Sequence, residues 1–422
     1  MVKLNALITA KSEPGKPFTP LKAANDNDAD GKLKLVRALD FDESAIPLRQ
    51  WIVPGLLIRR HLSVLVAPPG AGKSLLTLQT GLAVADGEPW GGFRPRGPHT
   101  VMVVNAEDDV DEMKRRLAAA TRAMDVDRAE LADRIYLAED PASIVVAQTD
   151  PKTKTVTRLP LADTLIETMK GNGIDVLVVD PFAETFEGDE NSNSEVKWAA
   201  AIWRDVARQA NAAVLLVHHV SKALSAAPGD MNAARGGSAL VGVARTVVTL
   251  FGMSEADAKI MGVSEAERHM YVRFDDAKAN LTLTTGAAKW FRKETVRLAN
   301  GTMEQHGDDV GVLHPWTAPN AMDTVTTAIA NAILDELAAG VLDDGGNPTG
   351  SRFALTDTRR GVRWAGHVVM RHVEVSPEQA ASILKTWRRN GVIEEAEYHD
   401  EAERKTRKGV RVVDANRPGR AA

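Results

Sequence analysis

"LSVLVAPPGAGKSLLTLQTGLAVADG", residues 62–87, runs from an apolar hexamer through a glycine-rich turn into an apolar-rich helix. The hexamer is short enough for a buried strand, and the stretch from Lys73 predicts a helix closed by Asp86 and Gly87. Strand, glycine turn and helix in this order are the setting in which Gly-Lys-Ser binds phosphate. Gly70 and Gly72 let the backbone curl so that its N–H groups converge on phosphate oxygens. The helix N-terminus adds partial positive charge. Lys73 is expected at the β- and γ-phosphates and the Ser74 hydroxyl on Mg²⁺. Pro69, Gly70, Ala71, Gly72, Lys73, Ser74 and Leu75 are the expected cradle, with ATP and Mg²⁺ as ligands. Ala67 replaces the motif's first glycine, which is tolerable if its φ is negative.

Around this loop, strand-like runs at 99–105, 175–180 and 212–219 alternate with helical stretches at 110–123, 159–170 and 194–210. Such alternation implies an α/β fold with a mostly parallel sheet covered on both faces. Asp180 ends the run "DVLVVD", placed to hold Mg²⁺ or to order the Ser74 hydroxyl. An ordinary strand-end aspartate entering a turn with Pro181 is the plain alternative. Because Pro181, not a glutamate, follows it, a catalytic base has to come from another strand. Glu107 in "VVNAEDD" is the first candidate and Asp108 the second. Alternatively, Glu107, Asp108 and Asp109 simply serve a helix N-terminus. "LLVHHVSK" places His219 at a strand end as a phosphate sensor or a satisfied core histidine, with His218 on the opposite face. The Gly/Ala-rich stretch 221–235, with Lys222 and Arg235, is either a strand-binding loop or plain disorder.

The chain has 422 residues, a length that suggests two or three folding units. It has no cysteine, which excludes disulfides, zinc-thiolate sites and a cysteine nucleophile. No run is long and apolar enough to span a membrane, and the N-terminus lacks a secretory signal, so a cytoplasmic protein is expected. Net charge is −5, so a nucleic-acid site would have to be a local patch. Residues 351–422 carry a surplus of basic residues, unlike the acidic remainder. We read residues 1–40 as disordered, 41–300 as the core and 301–320 as a linker. Residues 321–416 have the helix-then-hairpin outline of a winged helix. In that unit Ser376 is a natural N-cap, with Pro377 and Glu378 behind it. Arg388, Arg389 and the basic turn 404–408 suggest a contact with DNA or with a protein partner.

Taken in order, "WIVPGLLIRRHLSVLVAPPGAGKSLLTLQTGLAVADGEPW", "VVNAEDD", "VLVVDPF", "LLVHHVSK" and "ARGGSALVGVAR" resemble the RepA-type hexameric replicative helicases of plasmids and phages, within the RecA-like ATPases. The resemblance covers about residues 46–295. It implies a RecA-like P-loop core forming homo-hexameric rings, with ATP between neighbouring subunits and single-stranded or forked DNA as substrate. By it Lys73 and Ser74 take the phosphate-loop roles, Glu107 becomes the catalytic glutamate, Asp180 the second metal-associated acid and His219 the sensor. Arg245 matches a trans-acting arginine finger. Lys278 fits a Lys-x-Arg element in which Asn280 replaces the arginine, which puts a second finger in doubt. A switch that binds or loads onto DNA without unwinding it is the alternative activity.

Overall fold

The computed structural model describes residues 41–131, 133–139, 144–219, 238–279, 288–319, 322–343, 345–355, 361–400 and 403–419. Residues 1–40, Lys222, Arg235 and Asn280 lie outside them. The chain divides into two units: Met1–Gly252 with Met270–Trp316, and Met253–His269 with Thr317–Ala422.

A short hairpin, β1 (Trp51–Val53) and β2 (Leu57–Ile58), precedes β3 (Leu62–Ala67) and α1 (Lys73–Asp86). Then come β4 (Val101–Asn105), α2 (Val110–Ala123), β5 (Ile135–Leu137), β6 (Ala147–Thr149) and β7 (Val156–Arg158). They are followed by α3 (Leu161–Gly171), β8 (Val176–Asp180), β9 (Phe186–Glu187), α4 (Asn193–Gln209) and β10 (Ala213–His219). Next are α5 (Ser238–Val243), β11 (Thr246–Gly252), α6 (Glu255–Met261), β12 (Tyr271–Ala279), β13 (Lys289–Arg297) and β14 (Asp309–Trp316). The chain closes with α7 (Thr327–Ala339), α8 (Gly366–His372), α9 (Pro377–Arg389), β15 (Ile393–Asp400) and β16 (Lys405–Val412).

The first unit is built on a nine-stranded sheet ordered β14-β13-β12-β11-β3-β10-β8-β4-β5. The run from β11 to β5 is parallel, and β12, β13 and β14 extend it antiparallel. All six residues of β3 are buried, because helices cover both faces, and its one polar residue, Ser63, is satisfied by donating to the Leu56 carbonyl. Strand alternation sorts the apolar side chains into two layers. Leu62, Val64 and Val66 join Val179, Leu216 and Trp203 in one. Leu65 and Ala67 join Val178, Leu215, Leu78 and Met113 in the other. Helix α1 stops at Gly87, whose φ of 86° suits glycine, and a Cβ there would come within 2.7 Å of the Pro98 nitrogen.

In the second unit α7, α8 and α9 and the hairpin β15–β16 enclose a core of Ile333, Leu337, Trp364, Ile383, Trp387 and Ile393. Ser376 and Gln379 form a capping box on α9, with Pro377 in its first turn. The Ser376 hydroxyl donates to the Lys259 carbonyl at 2.7 Å, tying the segment Met253–His269 to α9. In the hairpin an acidic strand faces a basic one: Glu394 lies opposite Arg411, Glu397 opposite Lys408 and Asp400 opposite Lys405.

Two expected boundaries need correction. The stretch 301–320, read as a linker, contains β14, which pairs along its whole length with β13. Gly311 and Pro315 interrupt its apolar pattern, but proline is tolerated in an edge strand, where β14 sits. Residues 253–269, expected inside the core, fall in the second unit.

Candidate nucleotide site

Strand register brings the expected site residues to one edge of the sheet. His219 pairs with Ala67, and Asp180 with Asn105, at the C-terminal ends of β10, β3, β8 and β4. Ala67 closes β3 without a positive φ, so the methyl group in place of the motif's first glycine is accommodated. The loop then needs two left-handed residues, Gly70 at φ 76° and Gly72 at φ 90°, where an L side chain would be strained even with space around it. Gly72 is also the N-cap of α1, so no side chain occupies the first-turn N–H groups that a phosphate would use. Ala71 contributes backbone alone, because its methyl group is buried in the core.

Lys73 is nearly buried at the start of α1. The Ser74 hydroxyl donates to Asp180 Oδ2 at 2.6 Å. Asp180 is 1% exposed, and its Oδ1 has no hydrogen-bond partner among the described residues. Burial raises the Asp180 carboxyl above its ordinary range. The Ser74 hydrogen bond and the Lys73 charge act against that rise, and Glu107 adds to it.

Glu107 stands on a turn held by Asn105, whose Oδ1 accepts from the N–H groups of Glu107 and Asp108 at 2.8 and 2.9 Å. Its carboxylate reaches to 3.6 Å from His219 Nε2 and 4.0 Å from Lys73 Nζ. The three neighbouring acids have separate tasks. Asp108 is gripped by both terminal nitrogens of Arg116, at 2.7 and 2.9 Å, and Asp109 caps α2 by accepting from the Glu112 N–H. Only Glu107 faces the site.

His219 Nε2 also lies 4.0 Å from Asp180 Oδ1. Burial lowers its pKa and the Lys73 charge lowers it further, opposed by Glu107 and Asp180. His218 points the other way, edge-on to Phe182 with ring centroids 6.4 Å apart. Burial, with a smaller push from His219, brings it down from 6.5 to about 4. Because the folded state favours neutral His218, its contribution is complete above pH 6.5 and is lost as the pH falls toward 4. Between about pH 7 and about pH 4.5, wild type should lose up to about 3 kcal/mol more stability than His218→Asn in urea unfolding. Parallel pH slopes for the two proteins would refute this.

Glu107, Asp180 and His219 have one potential ligand atom each within 4.8 Å of the others. The free Asp180 Oδ1 and the Ser74 hydroxyl suit a hard cation such as Mg²⁺, which prefers oxygen ligands. The His219 nitrogen suits a hydrogen bond better. The loop opens onto a cleft of 590 Å³ walled by Arg115 and Arg116 of α2 and by Lys293, Asp309 and Gly311 of β13–β14. That volume is ordinary for a small-molecule site.

Residues 30–225 match the family model described as an AAA domain. The matched stretch, just under half of the chain, contains the phosphate loop, Glu107, Asp180 and His219. The large, mostly parallel sheet with the glycine loop at the end of β3 fits a P-loop α/β core. Among solved structures, the crystal structure of the RadB recombinase is 15% identical with a TM-score of 0.35. That match covers 56% of this chain and 87% of the recombinase.

The first unit does not bring Arg245 to its own phosphate loop. The Arg245 N–H bonds the carbonyl of Leu62, at the start of β3, roughly 16 Å of strand from Ala67. Lys278 is near it and donates to the carbonyls of Val241 and Ala244 at 2.8 and 3.1 Å. Sequence reasoning missed Asn105 and Lys293. A strand-end Asn before a turn is a readable signal for the first. Lys293 offered none, since its partner lies 223 positions away. No described helix is long and apolar enough to cross a membrane.

Proposed function

We propose that this chain is an ATP-driven DNA helicase of the RepA-like type, assembling as a homo-hexameric ring on single-stranded or forked DNA in replication of a mobile element. The observation that carries this is the meeting of Lys73, Glu107, Asp180 and His219 at one sheet edge, with Arg245 at the opposite edge. A site that needs Arg245 is completed only by another copy.

In this reading Ser74 and Asp180 hold Mg²⁺, which supplies charge neutralisation at the phosphoryl oxygens when bound. Lys73 places its ammonium at the β- and γ-phosphates. Glu107 orients the attacking water and takes its proton. His219, 3.6 Å from that carboxylate, registers the change at the γ-phosphate at the end of β10. Arg245 of a neighbouring copy neutralises transition-state charge. The second unit acts as a winged-helix-like module, with Arg388 and Arg389 of α9 toward DNA or a replication partner.

The test is ATP hydrolysis by wild type and Lys73→Ala, each with and without single-stranded DNA, beside a fork-unwinding assay. Wild type should be stimulated by the DNA and unwind the fork, and Lys73→Ala should lose about 10²–10³-fold in hydrolysis together with unwinding. Hydrolysis indifferent to DNA, without unwinding, would replace the motor with an ATP-switched DNA-binding protein.

A further inference from the structure

The cations around the phosphate-loop cleft are unequally engaged. Arg116 is held by Asp108 and Glu112, and Arg115 by Glu112 and Asp308. Lys73 has Glu107 at 4.0 Å. Lys293 has no ion pair among the described residues, and its Nζ donates to the Gly70 carbonyl at 2.9 Å. It is half-buried in mid-strand on β13, and burial without a counter-charge pulls its ammonium below the usual lysine range. Its root is firm. Lys293 pairs with Leu313 of β14, and Gln79 of α1 donates to the Leu313 carbonyl at 2.9 Å while accepting from its N–H at 2.7 Å. The Gly70–Ala71 peptide is thereby fixed at both ends, its oxygen by Lys293 and its N–H by the Pro68 carbonyl at 3.3 Å. A buried charge without a partner is costly, and an entering anion relieves that cost.

We propose that Lys293 is a second lysine of the nucleotide site, a positioning residue that fixes the phosphate loop through Gly70 and turns its uncompensated charge to the incoming phosphates. It therefore sets nucleotide affinity and leaves the cleavage rate to Glu107. This inference rests on the reading of the cleft as an ATP site.

The experiment titrates a fluorescent ADP analogue into the full chain and measures KM and kcat for ATP, for wild type and Lys293→Met, Lys293→Gln and Lys293→Arg. Thermal unfolding without nucleotide is run alongside. Lys293→Met should raise Kd and KM about tenfold with kcat within about twofold, the loss of one hydrogen bond to a charged group. Lys293→Arg should restore most of the affinity, and Lys293→Gln, which keeps a donor without the charge, should fall between. Unchanged affinity in Lys293→Met, or a fall in kcat at constant KM, overturns the proposal. Should the Met variant unfold, equal affinities for the Gln and Arg variants overturn it, and a weaker Gln variant upholds it. If wild type binds no nucleotide, the ATP-site reading falls as well. Wild-type binding with unaltered variants removes the role of Lys293 alone.

Discussion

Under the proposed function, replacing Arg245 with alanine should cut ATP hydrolysis by about 10³-fold or more, the effect expected of withdrawing a trans-acting arginine from phosphoryl transfer. Nucleotide binding by the same chain should stay near wild type, because Arg245 sits at the far end of β3 from the phosphate loop. Its side chain is exposed and, among the described residues, has neither an ion pair nor a side-chain hydrogen bond. Lys278 beside it adds repulsion, a poor arrangement unless an anion arrives from outside. Mixing supplies the decisive check. Copies carrying Arg245→Ala keep Glu107, and copies carrying Glu107→Gln keep Arg245, so a one-to-one mixture should recover activity at about a quarter of the head-to-tail interfaces. A mixture as inactive as its components would reject action in trans.

Glu107→Gln, taken alone, should slow hydrolysis by about 10²–10⁴-fold, the usual contribution of a positioned general base. Binding should survive, because the amide keeps the shape of the side chain and Asn105 holds the turn through backbone N–H groups. Asp108→Asn is the control. Its carboxylate is committed to Arg116, so hydrolysis should remain close to wild type. Single-turnover hydrolysis together with nucleotide binding reads both variants. If Asp108→Asn is the slower enzyme, the assignment of the base is reversed.

The core was legible because buried parallel strands declare themselves as unbroken apolar runs, and because an α/β sheet gathers functional residues at the carboxyl ends of those strands. Lys73, Asp180 and His219 could therefore be named from local sequence, and register brings them together. Elements that owe their existence to distant partners were not legible. Strand β14 is broken in pattern by Gly311 and Pro315 and exists as the partner of β13. Helices α5, α6 and α8 are six or seven residues long, too short to show a 3.6-residue period. The choice between Glu107 and Asp108 depended on Arg116, two helical turns further along, and the role of Lys293 on a loop more than 200 positions away.

The hairpin β15–β16 alters what the basic tail can do. Its two strands carry four carboxylates, Glu394, Glu395, Glu397 and Asp400, and four cations, Lys405, Arg407, Lys408 and Arg411. Arg411 is bound to Glu394, Arg407 lies 3.5 Å from Asp400, and Arg388 of α9 lies 3.9 Å from Glu395. A polyanion approaching this surface meets charges already balanced within the fold, so few condensed counter-ions would be released there. Each phosphate neutralised contributes about −0.9 to the log–log salt slope on duplex DNA. Contact through this hairpin would therefore add little to the salt slope and leave recognition there to hydrogen bonding and shape, with the ionic strength effect coming mainly from α9, where Arg389 and the half-exposed Arg388 lie.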